Sequence, residues 1–402
     1  MGVLIRPEYE ESVLPDFTPT REAGLAALAR FVPRAGRDYA NQRNFDYGPD
    51  ARSNISCLSP YLRYRLITEA EVVDAVLARH KFVAAEKFIQ EVFWRTYWKG
   101  WLEQRPALWK RYVEDTNALL SSDAPAGYQN AIDGNSGIEC FDAWVAELKR
   151  FGYLHNHARM WFASIWIFTL RLPWQLGAQF FYHHLLDADP ASNTLSWRWV
   201  AGLQTVGKTY LALADNIAQY TDGRFDPQGL ANTAFPLNEA PIEAPQDLPR
   251  GDALPNAPFG LLITHEDLHP ESLIGDVSNL AAVATIATVP DQSALVNGFI
   301  GDALNDAASR ASRAFGKDCQ PLGVCDPARI ARWANENGFT TVVTAYPPVG
   351  PVRSQVDVLR GALPLHGIML LTVQRQWDHQ AWPHARKGFF PFREKIPKLL
   401  AQ

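Results

Sequence analysis

The sequence lacks the patterns that mark a disulfide scaffold, a secreted chain or a membrane protein. Its four cysteines, Cys57, Cys140, Cys319 and Cys325, show no CxxC spacing, and so few in 402 residues fit a reducing compartment better than a disulfide framework. The N-terminus has no basic segment followed by an apolar core, which argues against a secretory signal. The longest uncharged apolar run, 160–170, is too short to cross a bilayer. We therefore expect a cytoplasmic protein with no membrane span and no metal site.

The net charge and the glycine spacing argue against broad electrostatic binding of nucleic acid and against a dinucleotide-binding motif. The net charge of −5 argues against a broad electrostatic grip on nucleic acid, although it leaves room for a local basic groove. No G-x-G-x-x-G follows the first run that resembles a strand, so a dinucleotide fingerprint is absent. What the sequence does have is tryptophan. Its 13 tryptophans cluster in the first half, which suggests an aromatic site as well as packing.

Hydrophobic periodicity divides the chain into two parts. Before residue 235 the spacing is helical, and it predicts helices over 60–79, 83–103, 139–151, 155–171 and 174–186. Six prolines then fall between Pro236 and Pro258, a density that excludes helix and predicts a linker. We expect an all-helical domain over 1–235 and a proline-rich linker over 236–258.

Beyond the linker, short β-branched runs alternate with helical patterns. Strands are predicted at 260–264, 283–289, 339–345 and 368–373, and helices at 293–315, 326–337 and 351–363. Alternation of this kind over about 140 residues predicts a doubly wound, Rossmann-like α/β domain over 259–402. The predicted fold class is therefore a two-domain protein, all-α followed by α/β.

The stretch 151–199 mixes aromatic side chains with polar ones that are costly to bury alone. Arg159 lies on an otherwise apolar helix and needs a carboxylate, for which Asp187 is a candidate. His155 is equally well explained as a core histidine. Because Trp174, Trp197 and Trp199 coincide with this polar set, a binding site is favoured over an aromatic core alone.

Two shorter motifs allow either a functional or an ordinary interpretation. Ser56 and Ser59 precede a helix that begins near Pro60, where free N–H groups suit phosphates; ordinary capping explains them as well and is more common. Glu91 and Trp94 share a helix face and can hold a heterocycle by hydrogen bonding and stacking, yet an amphipathic helix looks the same.

Together these residues resemble the photolyase/cryptochrome family. The resemblance covers roughly 18–230 and rests on FTPTREAGLAAL, YANQRNF, SCLSPYLRY, FIQEVFWRTYW, GYLHNHARM, LLDADPASN and the following WRW. It implies a helical domain that encloses FAD in a U shape. By the same resemblance, the cofactor's phosphates and neighbouring groups are held by Tyr39, Ser56, Leu58 and Ser59. The positions that match those around the flavin and its sugar are Arg95, Asn156, Arg159, Asp187, Asp189 and, facing flavin N5, Asn193.

The resemblance implies a light-driven reaction on damaged DNA. In repair members, excited reduced flavin donates an electron to a pyrimidine dimer that is flipped out of the duplex. The positions that match the lesion pocket are Glu91, Trp94, Asn156, Met160 and Trp199. Asn156 and Met160 match the class that acts on cyclobutane dimers. Trp197 and Trp174 match the first two members of the family's electron-transfer chain.

Departures from the family pattern favour a second hypothesis, a cryptochrome-like photoreceptor that signals through a protein partner. His157 replaces an arginine that usually touches the DNA backbone, and Arg65 stands where glycine is usual. The third electron-transfer position falls near Ser121, so another exit is needed. Its candidates are Trp109, Tyr112 and Tyr128.

The order of domains is the larger departure. GLLITHEDLHPESL looks like the first strand and loop of the family's antenna domain, and KGFFPFREKIPKLL like its closing segment. Family members normally begin with that domain. We therefore expect an antenna-like domain over 257–402, relocated to the C-terminus, with the chromophore of any antenna unidentified.

Overall fold

The first part of the chain is helical. The computed structural model describes residues 17–275, 277–287 and 292–401. The helical part, as we call residues 17–235, contains α1 Arg21–Phe31, α2 Arg37–Gln42, α3 Ser59–Arg63, α4 Glu69–Leu77, α5 Phe82–Glu103, α6 Pro106–Leu120, α7 Tyr128–Asp133, α8 Glu139–Phe151, α9 Asn156–Ser164, α10 Trp174–His184, α11 Pro190–Val200 and α12 Ala214–Tyr220. A 3₁₀ turn spans Val32–Arg34, and a π-helical turn, Ile165–Thr169, follows α9.

The single helix predicted over 60–79 is wrong, because two helices occupy that range. The chain leaves the helical conformation at Arg65, where φ is +52°. Thr68 then begins α4, since its side chain accepts a hydrogen bond from the Glu71 N–H and the Glu71 carboxylate accepts one from the Thr68 N–H. This capping box starts a helix independently of the one before it. Helix α6, which begins at Pro106, was not predicted.

The second part of the chain is a parallel sheet with flanking helices, as the sequence predicts. Its strands are β1 Phe259–Ile263, β2 Leu280–Ala287, β3 Cys319–Val324, β4 Thr341–Ala345 and β5 Met369–Val373. In the described residues their order is β3-β2-β1-β4-β5, and every neighbouring pair is parallel. We call the described residues from 259 to 401 the sheet part. Its helices are α13 Pro270–Leu273, α14 Ala294–Phe315, α15 Pro327–Glu336, α16 Pro351–Ala362, α17 Gln376–Ala381, α18 Phe389–Arg393 and α19 Ile396–Leu399, with 3₁₀ turns at Leu363–His366 and Trp382–His384.

Side-chain alternation along β1 explains why both faces of the sheet are covered. Leu261 and Ile263 join the core that contains α14 and much of the helical part, whereas Leu262 joins the core formed with α15 and α16. Strand β3 was missed because Pro321 and Gly323 interrupt its pattern. It lies at the edge of the sheet, where proline is tolerated.

The two parts share an extensive aromatic interface built on α5. Phe93 stacks on Trp377 with ring centroids 4.7 Å apart, and Trp94 stacks on Phe389 at 3.6 Å. Residues 236–258, which connect the parts, contain no helix or strand. Among the described residues, no helix is both long and apolar enough to span a membrane.

Candidate functional site

The site is organised around the turn Asp187-Ala188-Asp189 at the start of α11. Asp189 caps this helix by accepting a hydrogen bond from the Ser192 N–H at 2.8 Å, and Pro190 occupies the first helical position. Both carboxyl groups are buried. The local sequence therefore begins a helix at a point where two buried negative charges need partners.

Cations from two other helices surround the turn. Arg159 of α9 donates to Asp187 at 3.0 Å, so the pair anticipated from the sequence is present. From successive turns of α5, Arg95 Nη1 lies 3.7 Å and Lys99 Nζ 3.6 Å from Asp189 Oδ2. Burial opposes ionisation of the carboxyls, but these cations outweigh it. The pKa of Asp187 is lowered, and that of Asp189 falls to about 2.

The segments before and within α3 reach the same turn. Ser59 hydrogen bonds to Asp187, and Leu58, which is buried, precedes the helix. Ser56 Oγ accepts from the Leu58 N–H at 3.4 Å, but no side chain caps α3, so the capping by Ser56 or Ser59 that the sequence allows is absent. Tyr39 of α2 is buried edge-on against Phe88, and burial raises the pKa of its hydroxyl.

Asn193 lies one turn into α11 with a fixed amide. Its Nδ2 donates to the Ala178 carbonyl at 2.7 Å. This bond sets the orientation of the amide, which leaves its oxygen as the remaining group for an acceptor role.

Two tryptophans of α10 and α11 are buried near this site. Trp197 packs against Trp166 in the π-helical turn, with ring centroids 6.1 Å apart. Trp174 donates its indole N–H to Glu239 at 2.8 Å and stacks on Tyr112 at 5.5 Å. Tyr112 is in turn 5.3 Å from Trp109, while Tyr128 lies 6.0 Å from Trp166. The three candidate exits therefore lie on two aromatic branches.

The residues expected to line a lesion pocket lie on α5, α9 and α11, and α11 packs against both other helices. Asn156 is exposed at the start of α9, and Met160 is half-buried one turn later. Glu91 forms an ion pair with Arg43. Trp94 is covered on one side by Phe389 of α18, and Trp199 stacks on Tyr210. The expected lesion-pocket residues therefore lie on adjoining helices. Three of them, Glu91, Trp94 and Trp199, already contact other side chains of the protein.

His157 is held in place rather than extended. Its Nδ1 lies 2.9 Å from the Asn44 carbonyl oxygen and its Nε2 3.2 Å from the Tyr210 hydroxyl, while its ring stacks on Trp161. Burial lowers the pKa of this imidazole, so it is neutral near pH 7. His157 therefore cannot replace the charge of an arginine at this position.

Several buried polar atoms of α5, of α11 and of the residue that caps α9 have no hydrogen-bond partner in the described part of the chain. They are Arg95 Nη1, Lys99 Nζ, His155 Nε2, Ser192 Oγ and Trp197 Nε1. Buried polar groups usually have a hydrogen-bond partner, and a ligand rich in acceptors would supply one to these donors and hydroxyls. Phosphates, ribityl hydroxyls and a flavin edge fit these donors, which means that the residues present suit FAD.

Comparison with known proteins agrees with this fit. Residues 88–231, which begin within α5 and include α6 through α12 and the Asp187–Asp189 turn, match the family described as the FAD binding domain of DNA photolyase. Over residues 88–231 the helical part is therefore similar to the photolyase/cryptochrome family. Its cofactor is FAD, as the sequence predicts.

Three bacterial proteins illustrate the similarity. The deoxyribodipyrimidine photo-lyase of Agrobacterium fabrum is 29% identical over 254 residues, which are 60% of this chain and 52% of the relative. The corresponding protein of Thermus thermophilus is 31% identical over 244 residues, 59% of this chain and 55% of its own length. A solved class III photolyase from Agrobacterium tumefaciens is 30% identical, with a TM-score of 0.44 over 52% of this chain and 44% of that one. The chain spans about half the length of the curated relatives it matches.

Sequence reasoning missed three residues of this photolyase-type site. Lys99 lies four residues after Arg95, so helical spacing could have placed it on the same face. Arg63 carries no comparable signal, because its contacts join segments distant in sequence. Ser192 follows Asp189 by three residues, so the helix cap could have placed it at the turn. Within residues 17–275, 277–287 and 292–401, no group of three or more His, Cys, Asp or Glu side chains is arranged to hold a metal ion.

Proposed function

We propose that this chain is a light-driven, FAD-dependent DNA lyase that splits cyclobutane pyrimidine dimers. One observation carries the proposal: buried donors that make no hydrogen bond within the described chain, Arg95 Nη1 and Lys99 Nζ, lie at the Asp187–Asp189 turn, in a segment matched to the FAD binding domain of DNA photolyase. The names of the relatives support the same activity. Because the chain spans only about half of their length, the activity of the whole protein is our inference.

The site assigns separate tasks to the residues that hold the cofactor. When bound and reduced, FAD supplies light-driven electron donation. Asp187 and Asp189, fixed by Arg159, Arg95 and Lys99, offer carboxylates to sugar hydroxyls. The remaining positions proposed to bind the cofactor are Tyr39, Ser56, Leu58, Ser59 and Asn156. Asn193, pinned by Ala178, offers an amide oxygen that can accept a hydrogen bond from a protonated flavin nitrogen.

The proposed lesion pocket uses aromatic walls and one carboxyl group. Trp94, Met160 and Trp199 offer apolar surface to an unstacked dimer, which recovers part of the cost of base flipping. Glu91 and Asn156 offer hydrogen bonds. Burial raises the pKa of Glu91 while Arg43 opposes that rise, so this carboxyl group can be protonated more readily than an exposed one.

A basic strip at one side of the helical part supports binding to the DNA backbone. We call the exposed cations Arg30, Arg34, Arg37, Arg79 and Lys81 the basic strip. The segment after α4, with Arg79 and Lys81, contacts the segment after α1, because His80 Nε2 lies 2.7 Å from the Val32 carbonyl oxygen. These five exposed cations can supply the local positive charge for a DNA backbone that the net charge of −5 left open.

The proposal is tested by illuminating the reduced protein with an oligonucleotide that contains a thymine dimer. We expect dimers to disappear in light and persist in a dark sample, as followed by chromatography of the digested DNA. Asn156→Ala should lower the repair rate severalfold, whereas Asn130→Ala, at an exposed position on α7, should not change it. Persistence of dimers in the light, with flavin bound and reduced, would exclude the lyase activity.

A photoreceptor that signals through a protein partner is the second candidate, favoured by one set of contacts. Glu91 and Trp94 are engaged by Arg43 and Phe389, and His157 is neutral near pH 7. These contacts weaken lesion binding relative to a repair enzyme. A gel-shift titration separates the two functions: lesion-specific binding supports the lyase, while equal affinity for damaged and intact duplex supports the sensor.

We also propose that 259–402 is an antenna-like domain moved to the C-terminus, joined to the helical domain over 1–235 by the linker 236–258. The parallel sheet that begins at Phe259 supports this division. An absorbance spectrum of the purified protein tests it, because an antenna chromophore adds a near-ultraviolet or blue band to those of flavin. A cytoplasmic location stays a prediction.

A further inference from the structure

A buried arginine joins the flavin site to the sheet part. Arg63 of α3 donates through Nη1 and Nη2 to the two carboxylate oxygens of Glu266 at 2.9 and 2.8 Å. Its Nε donates to the carbonyl oxygen of Ala188 at 2.9 Å. Both side chains of the ion pair are almost fully buried. One guanidinium therefore contacts the loop after β1 and the turn that carries Asp187 and Asp189.

The geometry of this contact restricts the turn. A bidentate pair between a guanidinium and a carboxylate fixes the plane of the arginine, because both N–H···O bonds must be kept. With that plane fixed, Arg63 Nε points at the Ala188 carbonyl, and the peptide between the two aspartates has one orientation. The sheet part adds a second bond nearby, since the Leu268 N–H donates to the Tyr64 carbonyl at 2.8 Å.

Charge argues for the same dependence. Burial opposes the ionisation of Glu266, but Arg63 outweighs it and the pKa of the carboxyl group is lowered, so the pair is ionised near pH 7. Removing the negative charge leaves a buried guanidinium whose nearest remaining acceptors lie at the turn. The expected response is a shift of Arg63 toward Ala188 and Asp189, which disturbs the carboxylates of the site.

We propose that Glu266 is a positioning residue for the flavin site and acts through Arg63 on the Asp187–Asp189 turn. This inference rests on the proposed placement of FAD at that turn. It makes the sheet part a contributor to cofactor binding, because the hydrogen bonds that link Glu266 to the turn pass through Arg63. The two halves of the chain are then coupled at the site itself.

A matched control exists in the same interface. Arg65 donates to Asp378 of α17 at 2.7 Å, and this pair is as buried as Arg63–Glu266 and also joins the two parts. The other ion-pair partners of Arg65 in the described chain are Glu69 and Asp267, which lie outside the turn. Asp378→Asn therefore removes a comparable interface charge without removing a contact to the site.

The experiment compares full-length Glu266→Gln and Asp378→Asn. Stability is measured by urea unfolding, and FAD affinity by titrating FAD into cofactor-free protein in the dark while flavin fluorescence is followed. We expect both variants to lose stability, and only Glu266→Gln to raise the FAD dissociation constant, by about tenfold, which corresponds to one lost charge-assisted hydrogen bond. The visible circular dichroism of the bound flavin should change in that variant alone.

The proposal is overturned if Glu266→Gln keeps its FAD affinity, or if Asp378→Asn loses as much. If Glu266→Gln does not fold, Glu266→Asp takes its place, because aspartate keeps the negative charge and loses the bidentate geometry. Glu266→Asp should then raise the FAD dissociation constant by less than tenfold. An unchanged dissociation constant in that variant refutes the proposal. Dark FAD binding is independent of dimer cleavage. A failure here is therefore distinguishable from a failure of the lyase hypothesis.

Discussion

Arg65 combines an unusual backbone conformation with a large buried charge. Its φ of +52° lies in the left-handed region, which costs a non-glycine residue about 1–2 kcal/mol. Glycine is usual here in the family that the sequence resembles, and the conformation explains why. In this chain the side chain compensates by reaching Glu69, Asp267 and Asp378. Arg65 thus takes the position of a glycine and forms ion pairs between this turn and the sheet part.

His155 caps α9 and is buried. Its Nδ1 accepts a hydrogen bond from the His157 N–H at 3.1 Å, so Nε2 carries the proton of the neutral ring. That Nε2 is buried without a partner in the described residues, which makes it a donor available to a ligand. Burial lowers its pKa to about 4, with Asp46 opposing the shift and His157 and Arg52 adding to it.

This lowered pKa predicts a loss of stability in weak acid. Between pH 6.5 and 4 the unfolded histidine binds a proton that the folded one does not, so the free energy of unfolding falls as pH falls through that window. From pH 7 to pH 5 His155 alone should contribute a loss of about 2 kcal/mol.

Urea unfolding of the wild-type protein and His155→Asn at the two pH values measures that contribution. The variant should lose correspondingly less stability between them. The same pH dependence in both proteins would contradict the assignment.

At the scale of elements, one aromatic branch leads away from Trp197 and a second begins at Trp174. One runs through Trp166 in the π-helical turn to Tyr128 of α7, with centroid separations of 6.1 and 6.0 Å. The other begins at Trp174 of α10 and continues through Tyr112 to Trp109 of α6. The π-helical turn contains one residue more than an α-helical turn, as the hydrogen bond from the Leu170 N–H to the Ile165 carbonyl shows. This extra residue changes the direction of the side chains that follow it on the helix.

We expect both branches to carry electrons during photoreduction of bound flavin. Tyr112→Phe and Tyr128→Phe should each lower the rate partly, because phenylalanine is much harder to oxidise. The double variant should approach the low rate of Trp197→Phe. The measurement is the loss of flavin absorbance at constant illumination with an external reductant. A single variant as slow as the double one would show that only one branch operates.

For the whole molecule, the interface between the two parts governs stability. Helix α5 lies between them and approaches Trp382 closely at Gly100. A Cβ added at Gly100 would stand 2.7 Å from Trp382 Cδ1 and 2.9 Å from its Cα, too close for either atom. Gly298, in helix α14, has nothing within 4 Å of the same position. The two glycines are both helical but differ in what surrounds them.

Alanine at these two glycines should have opposite effects. Gly298→Ala should stabilise the protein by up to about 1 kcal/mol through helix propensity. Gly100→Ala should destabilise it by about 1–3 kcal/mol, because the overpacking of the interface exceeds that gain. Calorimetry checks both values. We also expect a single unfolding transition in each variant, and two separated transitions in the wild-type protein would contradict the role of the interface.

The amino-acid sequence by itself determined the elements and the chemical character of the site. Periodicity predicted four of the five strands and most long helices, because an element buried on a known face repeats with a fixed period. The ion pair of Arg159 with Asp187 was anticipated from the cost of burying an arginine without a carboxylate.

Only the tertiary structure decided which distant segments complete that site. The contact of Arg63 with Glu266 joins residues 203 positions apart, and the stacking of Trp94 on Phe389 likewise joins α5 to the C-terminal segment. Local spacing has no information on such pairs. They depend on how the helical part packs against the sheet part, and that packing places a charge from the loop after β1 beside the turn proposed to hold FAD.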